Sequence, residues 1–129
     1  MVKVIDTNLI VRYLLNDPGA DSVERLLKSK SKFLLPDIIM AEIVWVLDSF
    51  YKWERAEIVE SMSTLIRLPS IVCSRFLLSD TLNIFKEHKS FDFADAYSVA
   101  LMKSLKIKDI YSFDRDFDKI PGVNRLEPK

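Results

Sequence analysis

The chain has 129 residues, of which 49% are hydrophobic and 29% are charged, with two glycines and a single cysteine. This composition is typical of one compact domain over residues 1–129 in a reducing cytoplasm, and it excludes a disordered tail, a disulfide scaffold and a membrane-spanning segment. Nineteen basic and nineteen acidic residues leave no net charge, so no overall field attracts nucleic acid or a membrane, and any phosphate partner has to be bound locally.

The first residues predict a strand followed by a helix. Three of the four residues at positions 2–5 are β-branched and apolar, which predicts a strand buried on both faces of a parallel sheet. Asp6 ends this strand, and Thr7 and Asn8 are residue types that begin helices. Ligands of open α/β sheets gather at the carboxyl ends of the strands. Asp6 is therefore the first candidate functional residue, with helix capping as its alternative role.

The middle of the chain continues the alternation of strands and helices. A short amphipathic helix over 20–27 precedes a strand at 33–35, and a helix from Pro36 to Phe50 follows. This helix is apolar almost all round, so we expect it to be the most buried helix of the chain. Glu42 lies inside it, and we expect a cation beside Glu42 because an unpaired buried charge costs on the order of several kcal/mol.

Two more helices are predicted from about Glu54 to Arg67 and around 78–85, with a strand at 71–74 between them. We expect Cys73 to be a small buried thiol and the lone histidine, His88, to be solvated. Several aromatic residues near the end of the long helix are expected in the core or in an interface, and the two locations stay open: Trp45, Phe50, Tyr51 and Trp53.

The last third of the chain is rich in acids at element boundaries. A helix begins within 90–96 and carries Asp92 and Asp95 three residues apart, so their like charges repel unless something neutralises them. Favourable interaction with the helix dipole is the alternative role, above all for Asp92. A strand at 110–113 ends in Asp114, with Asp116 two residues further on, and a last short strand is predicted at 123–126.

The alternation of elements predicts a three-layer α/β/α domain with a central, mostly parallel sheet. Asp6 and Asp114 are then expected at one edge of the sheet, where Glu42, Asp92 and Asp95 can reach them. Close carboxylates repel by on the order of a few kcal/mol per pair in a partly buried site. A divalent cation removes that repulsion, and oxygen ligands without His or Cys indicate Mg²⁺ or Mn²⁺, the ions that assist phosphodiester hydrolysis.

Four stretches in this order resemble the motifs of PIN-domain nucleases, especially the VapC-type toxin ribonucleases: 4–8, the acid within 36–47, 92–96 and 112–118. The resemblance implies a sheet of about five strands and a Mg²⁺-dependent endoribonuclease acting on single-stranded or loop RNA and leaving a 5′-phosphate. It also implies a homodimer and a cognate antitoxin partner. By the same resemblance, the residues that bind the metal and are catalytic are Asp6, Glu42, Asp95 and Asp114. Asp116 is then an auxiliary acid, and Thr7 or Asn8 gives polar support. The position of Asp92 makes it a second candidate for an auxiliary acid.

Two other functions remain open from the sequence. A haloacid-dehalogenase-like phosphohydrolase also begins with an aspartate after its first strand, but that chemistry needs a second aspartate where Asn8 stands. A protein-binding domain that keeps the fold without cleaving RNA is the non-enzymatic alternative. Arg12, Arg115 and Lys119 are candidate contacts to RNA phosphates, with an ordinary role as surface cations as the alternative.

Overall fold

The computed structural model describes residues 1–129, and it is a mixed α/β fold with short parallel strands, as the sequence predicts. In chain order the elements are β1 Lys3–Val4, α1 Thr7–Leu14, α2 Ala20–Leu27, β2 Phe33–Leu34, α3 Asp37–Trp45, α4 Arg55–Ile66, β3 Ile71–Val72, α5 Arg75–Glu87, α6 Phe93–Leu105, β4 Asp109–Tyr111 and β5 Asn124–Leu126. A π-helical turn, Val46–Phe50, extends α3, and a 3₁₀ helix, Arg115–Lys119, connects β4 to β5.

The strands form two parallel sheets instead of one sheet of five. β1, β2 and β3 are neighbours in that order, with Lys3 opposite Phe33 and Phe33 opposite Ile71. β4 pairs only with β5, Asp109 lying opposite Asn124. The expectation that Asp6 and Asp114 stand at one edge of a single sheet is therefore wrong for this arrangement, because the two strands that end near them belong to different sheets.

The first strand is buried on one face only. Ile5 is 2% exposed and belongs to the core, whereas Val4 is 64% exposed and lies in register with Leu34 and Val72, which are also exposed. These three side chains lie side by side on a partly exposed face of the sheet. The prediction of a strand buried on both faces was wrong because β-branched composition does not say how many faces are covered.

The long helix has one buried stripe, although its composition is apolar all round. Met40, Ile43, Val44 and Leu47 are fully buried, at the spacing of one face of a helix. The opposite stripe is exposed, with Ile38 at 76% and Trp45 at 63%. This helix is therefore less completely buried than its composition predicts.

One hydrophobic core joins the helices to the larger sheet and reaches the 3₁₀ helix. α5 and α6 pack on each other more extensively than any other pair of elements. Phe91, just before α6, packs against Phe117 of the 3₁₀ helix in a tilted arrangement with ring centroids 5.0 Å apart, which holds the segment after β4 against the start of α6. None of the six helices combines the length and the continuous hydrophobicity that crossing a bilayer requires.

Candidate active site

The first turn of α6 is built around two aspartates that cap each other's backbone. Asp92 is the N-cap residue, and its Oδ1 accepts a hydrogen bond from the backbone N–H of Asp95 at 2.8 Å. In return, Oδ2 of Asp95 accepts a hydrogen bond from the backbone N–H of Asp92 at 3.2 Å. This reciprocal pair satisfies N–H groups that a helix start leaves without partners. It also fixes both carboxylates at the N-terminus of α6.

A second acidic turn follows β4. Asp114 caps the 3₁₀ helix, because its Oδ1 accepts a hydrogen bond from the backbone N–H of Asp116 at 2.9 Å. The backbone N–H of Asp114 donates in turn to Oγ of Ser112 at 3.0 Å. Lys119 donates to Oδ1 of Asp116 at 3.1 Å, and this bond lowers the pKa of Asp116 below its usual value, with a smaller contribution from Ser90.

Asp95 lies close to carboxylates of both acidic turns. Burial raises the pKa of Asp95 above its ordinary value of 3.8, and the negative charges of Asp92 and Asp114 raise it further. The backbone N–H of Asp92 acts in the opposite direction. Asp92, Asp95, Asp114 and Asp116 therefore form one acidic neighbourhood. Lys119 compensates the charge of Asp116, and a cation would relieve the repulsion that remains around Asp95.

Asp6 stands at the start of α1, where it is exposed and serves as the N-cap residue. Its Oδ1 accepts a hydrogen bond from the backbone N–H of Thr7 at 2.8 Å. The helix thus begins one residue earlier than Thr7 and Asn8 suggested as caps. Asn8 is exposed, but the hydroxyl of Thr7 is buried and has no hydrogen-bond partner. A buried polar group without a partner costs about 1–3 kcal/mol, and it marks the vicinity of Asp6 as the place where a bound polar group would restore a bond.

Glu42 is exposed on the outer stripe of α3, so the expected apolar surroundings and neighbouring cation are both absent. The buried side chains of the helix lie instead on its other stripe. The side of α3 that carries Glu42 faces the start of α6 across a cavity of about 530 Å³, which Asp48, Asp92 and Phe93 also line. Glu42 and the capping aspartate of α6 therefore share one groove.

The acids match a divalent cation in chemistry but do not surround one position. All are hard carboxylate oxygens, which Mg²⁺ and Mn²⁺ prefer, and Asp95 lies close to like charges. However, no three carboxylates, histidines or cysteines converge closely enough to hold a metal ion. The structure thus brings Asp92, Asp95, Asp114 and Asp116 together, sets Glu42 across a groove from Asp92, and leaves Asp6 at the end of another sheet.

The cations singled out in the sequence lie on the surface, Arg115 and Lys119 in the 3₁₀ helix after β4 and Arg12 in the last turn of α1. Arg12 donates from Nη1 to the carbonyl oxygen of Pro18 at 3.2 Å, and Arg115 is exposed at the start of the 3₁₀ helix. Lys119 is partly neutralised by its ion pair with Asp116. Two other side chains differ from expectation: His88 and Cys73 are each half-buried, neither fully solvated nor fully buried.

Comparison with known proteins identifies the family. The PIN domain model matches residues 3–123. The chain belongs to the PIN domain family. Its sequence is 25% identical over 134 aligned residues to a VapC ribonuclease of Aquifex aeolicus (strain VF5), covering 98% of this chain and 97% of the relative. The crystal structure of Mycobacterium tuberculosis VapC20, a Sarcin-Ricin loop cleaving toxin, is similar at 19% identity and a TM-score of 0.41, covering 92% and 94% of the two chains. The resemblance seen in the sequence is confirmed at the level of the family.

This PIN domain also contains a contact that no sequence pattern predicted. Tyr97 on α6 donates a hydrogen bond from its hydroxyl to Oδ2 of Asp37, the first residue of α3, at 2.5 Å. The bond raises the pKa of Tyr97 to about 12, since ionisation would place two negative charges side by side. The two residues are sixty positions apart. In the sequence, Tyr97 fits the apolar stripe of its helix and Asp37 is an ordinary acid in a first helical turn, so neither signals a partner.

Proposed function

We propose that this PIN domain is a metal-dependent endoribonuclease that hydrolyses phosphodiester bonds in single-stranded or loop RNA. The observation that supports it most is the family match over 3–123, combined with the paired acidic turns at Asp95 and Asp114. The similarity to a VapC ribonuclease over nearly the whole chain supports RNA as the substrate and a toxin–antitoxin pair as the setting. The family match favours this function over a haloacid-dehalogenase-like phosphohydrolase.

We assign Mg²⁺, with Mn²⁺ as a substitute, to a site where Asp95 and Asp114 of the acidic neighbourhood would hold it together with Asp6 and Glu42. When bound, such an ion neutralises phosphate charge and makes an attacking water more acidic. The ion also balances the carboxylates against one another, which explains why the chain tolerates several acids near one helix start. The chemistry of the ligands, all of them oxygens, supports this assignment.

The other polar residues of the site have supporting roles in this proposal. Asp92 holds Asp95 through the reciprocal backbone bonds, so the Asp95 carboxylate cannot rotate freely away from Asp114. Asp116 lies next to Asp114 as an auxiliary acid and is oriented by Lys119. Thr7 offers its unpartnered hydroxyl beside Asp6, and Asn8 is exposed on the same first turn of α1.

RNA binding in this proposal depends on local cations because the chain has no net charge. Arg115 and Lys119 flank the acidic turn after β4, and Arg12 lies near the end of α1. In this proposal Arg115 and Lys119 contact phosphates of a strand that runs past the acids, with Arg12 as a further candidate contact, and such contacts weaken as the salt concentration rises. Product release leaves the phosphate on the 5′ end of the downstream fragment.

We further propose a homodimer and an antitoxin partner, both acting in the cytoplasm. The exposed aromatic residues at the end of α3 support self-association: Trp45 and Phe50 are mostly exposed, and Phe50 meets Tyr51 edge-to-face at 4.9 Å. Large exposed aromatic side chains are enriched in protein interfaces. Trp53 is not part of this surface, since it packs against the core.

A cleavage assay tests the proposed function. The purified protein is incubated with a labelled single-stranded RNA with Mg²⁺, with Mn²⁺, or with excess EDTA, and a variant with Asp95→Asn is run beside it. We expect cleavage with either metal, none with EDTA, and none from the variant. Cleavage that persists in EDTA excludes the metal mechanism. No cleavage of any RNA, together with normal folding, favours the protein-binding alternative.

A further inference from the structure

α3 and α6 pack on each other much less extensively than α5 and α6 do. Two residues of α3, Ile38 and Ala41, and two of α6, Phe93 and Ala94, line both cavities between these helices, one of about 360 Å³ and one of about 530 Å³. Ala41 and Ala94 carry only a methyl group, so the packing between the helices is thin at this point. Since packing contacts hold helices in register, a seam flanked by two cavities resists sliding and rotation poorly.

One hydrogen bond spans this seam directly. The hydroxyl of Tyr97 donates to the carboxylate of Asp37 at 2.5 Å, the short distance typical of an O–H group bonded to a charged oxygen. It is the only side-chain hydrogen bond that joins α3 to α6. Both residues line the smaller cavity, and Tyr97 is half-buried, so water competes for the bond less than at an open surface.

The bond lies close to the acids on both helices. Tyr97 is two residues beyond Asp95, and Asp37 is five residues before Glu42, distances of about 3 Å and about 7.5 Å along the two helix axes. Asp92 and Glu42 line the larger cavity on the other side of the same seam. A shift of α3 on α6 therefore changes the separation between Glu42 and the paired aspartates.

We propose that the Tyr97–Asp37 hydrogen bond is a positioning contact that sets Glu42 of α3 at a fixed distance from Asp92 and Asp95 of α6. The inference rests on the proposed function, because the acids that it positions are the ones assigned to the metal. Tyr97 and Asp37 themselves contact neither metal nor RNA in this proposal. Their effect on the reaction is transmitted through the relative placement of the two helices.

The test combines a conservative substitution with a matched control. Tyr97→Phe removes only the hydroxyl, and Tyr13→Phe removes a hydroxyl from a half-buried tyrosine that packs against the core on α1, far in sequence from both helices. Asp37→Ala removes the acceptor, whereas Asp37→Asn keeps an oxygen that can accept the bond from Tyr97. Each variant is assayed well below its melting temperature, so that loss of folded protein does not contribute.

Two measurements are made on each variant. The first is the kinetics of RNA cleavage with Mn²⁺, where a displacement of about 1 Å costs up to a hundredfold in rate. We expect Tyr97→Phe and Asp37→Ala to lower kcat by about ten- to a hundredfold with KM changed less than about twofold, and the double variant to be no worse than either. Asp37→Asn and Tyr13→Phe are expected to stay within about threefold of the unsubstituted protein.

The second measurement needs no activity. One spin label is placed at Ser49→Cys, in the π-helical turn that extends α3, and one at Lys103→Cys on α6, with Cys73→Ser. Double electron–electron resonance then reports the distance between that turn and α6 in the metal-free protein. Tyr97→Phe is expected to broaden or shift this distance distribution, and Asp37→Asn to leave it unchanged. An unchanged distribution in Tyr97→Phe overturns the inference whether or not the protein cleaves RNA. A changed distribution in a protein that cleaves no RNA supports the positioning contact and refutes the proposed function alone.

Discussion

Replacing Arg55 by methionine tests how the segment that leads into α6 is held. Arg55 is the first residue of α4, and its guanidinium lies 3.8 Å from the centre of the Phe85 ring. Its Nη1 donates to the carbonyl oxygens of Phe85 at 2.6 Å and of His88 at 3.2 Å. The Phe85 carbonyl lies in the last turn of α5, where carbonyls have no partner within the helix, whereas the carbonyl of the C-cap residue His88 also accepts from the backbone N–H of Phe91 at 3.0 Å. Arg55 therefore caps the C-terminal end of α5 just before the turn that carries Asp92.

The expected cost follows from these contacts. Hydrogen bonds from a charged donor contribute about 1.5–3 kcal/mol each and the ring contact about 0.5–1 kcal/mol, but the side chain is half-exposed, so solvent reduces the sum. Methionine keeps the apolar contact with Phe85. We expect a loss of about 2–3 kcal/mol. For 129 residues, with an unfolding entropy of about 0.27 kcal/mol/K, the melting temperature falls by about 7–11 °C.

Thermal and urea denaturation of metal-free protein, followed by circular dichroism, measure this loss. Arg67→Met serves as the control, because Arg67 is exposed at the end of the same helix and is expected to change the melting temperature by no more than about 3 °C. Arg55→Lys keeps the charge but not the fork of donors, so an intermediate loss is expected. If Arg55→Met melts within about 2 °C of the unsubstituted protein, the guanidinium does not secure the end of α5.

Three further outcomes are expected. Asp95→Asn is expected to raise or preserve the melting temperature of the metal-free protein at pH 7. Because the pKa of Asp95 is raised in the folded state, Asp95 favours folding most below its unfolded pKa of about 3.9. It loses that contribution as the pH rises through the folded-state value. The higher melting temperature of the Asp95→Asn variant relative to the unsubstituted protein should vanish near pH 3.5. A large loss of stability of the variant at pH 7 would instead make Asp95 structural. Asp92→Ala removes the N-cap of α6 and is expected to cost about 1 kcal/mol of stability, or about 4 °C in melting temperature, whereas Asp92→Asn is expected to cost little. Equal melting temperatures of the two variants would contradict the capping role. Light scattering should find a dimer that Trp45→Ser weakens, and a monomer at every concentration would contradict self-association through that surface.

The helices were the most predictable part of the fold, since their apolar spacing and boundary residues follow local rules. All six lie where the periodicity indicates them, and the acids at 92–96 fall in a first helical turn as expected. What escaped prediction in α3 was which stripe is buried. Because α3 is apolar all round, periodicity did not favour one side, and Glu42 was assigned to the wrong one.

The placement of the acids was harder to predict because it depends on pairing between strands of two or three residues. Such short strands carry almost no register information, so the sequence could not indicate that β1 and β4 lie in separate sheets. Asp114 lies close enough to Asp95 for its charge to raise the pKa of Asp95, as expected, and the tilted packing of Phe91 against Phe117 joins the two segments. The bond between Tyr97 and Asp37 joins distant residues of unremarkable type, which no local pattern reveals.

The proposed binding of a divalent metal by acids from four separate parts of the chain is tested most directly by iron-directed cleavage of the protein backbone. Fe²⁺ bound in place of Mg²⁺ generates hydroxyl radicals with ascorbate and peroxide, and mass spectrometry locates the cuts. We predict cuts beside Asp6, Glu42, Asp95 and Asp114 that excess Mg²⁺ suppresses. Cuts confined to the turns around Asp95 and Asp114, or cuts that Mg²⁺ does not suppress, would contradict the four-residue site.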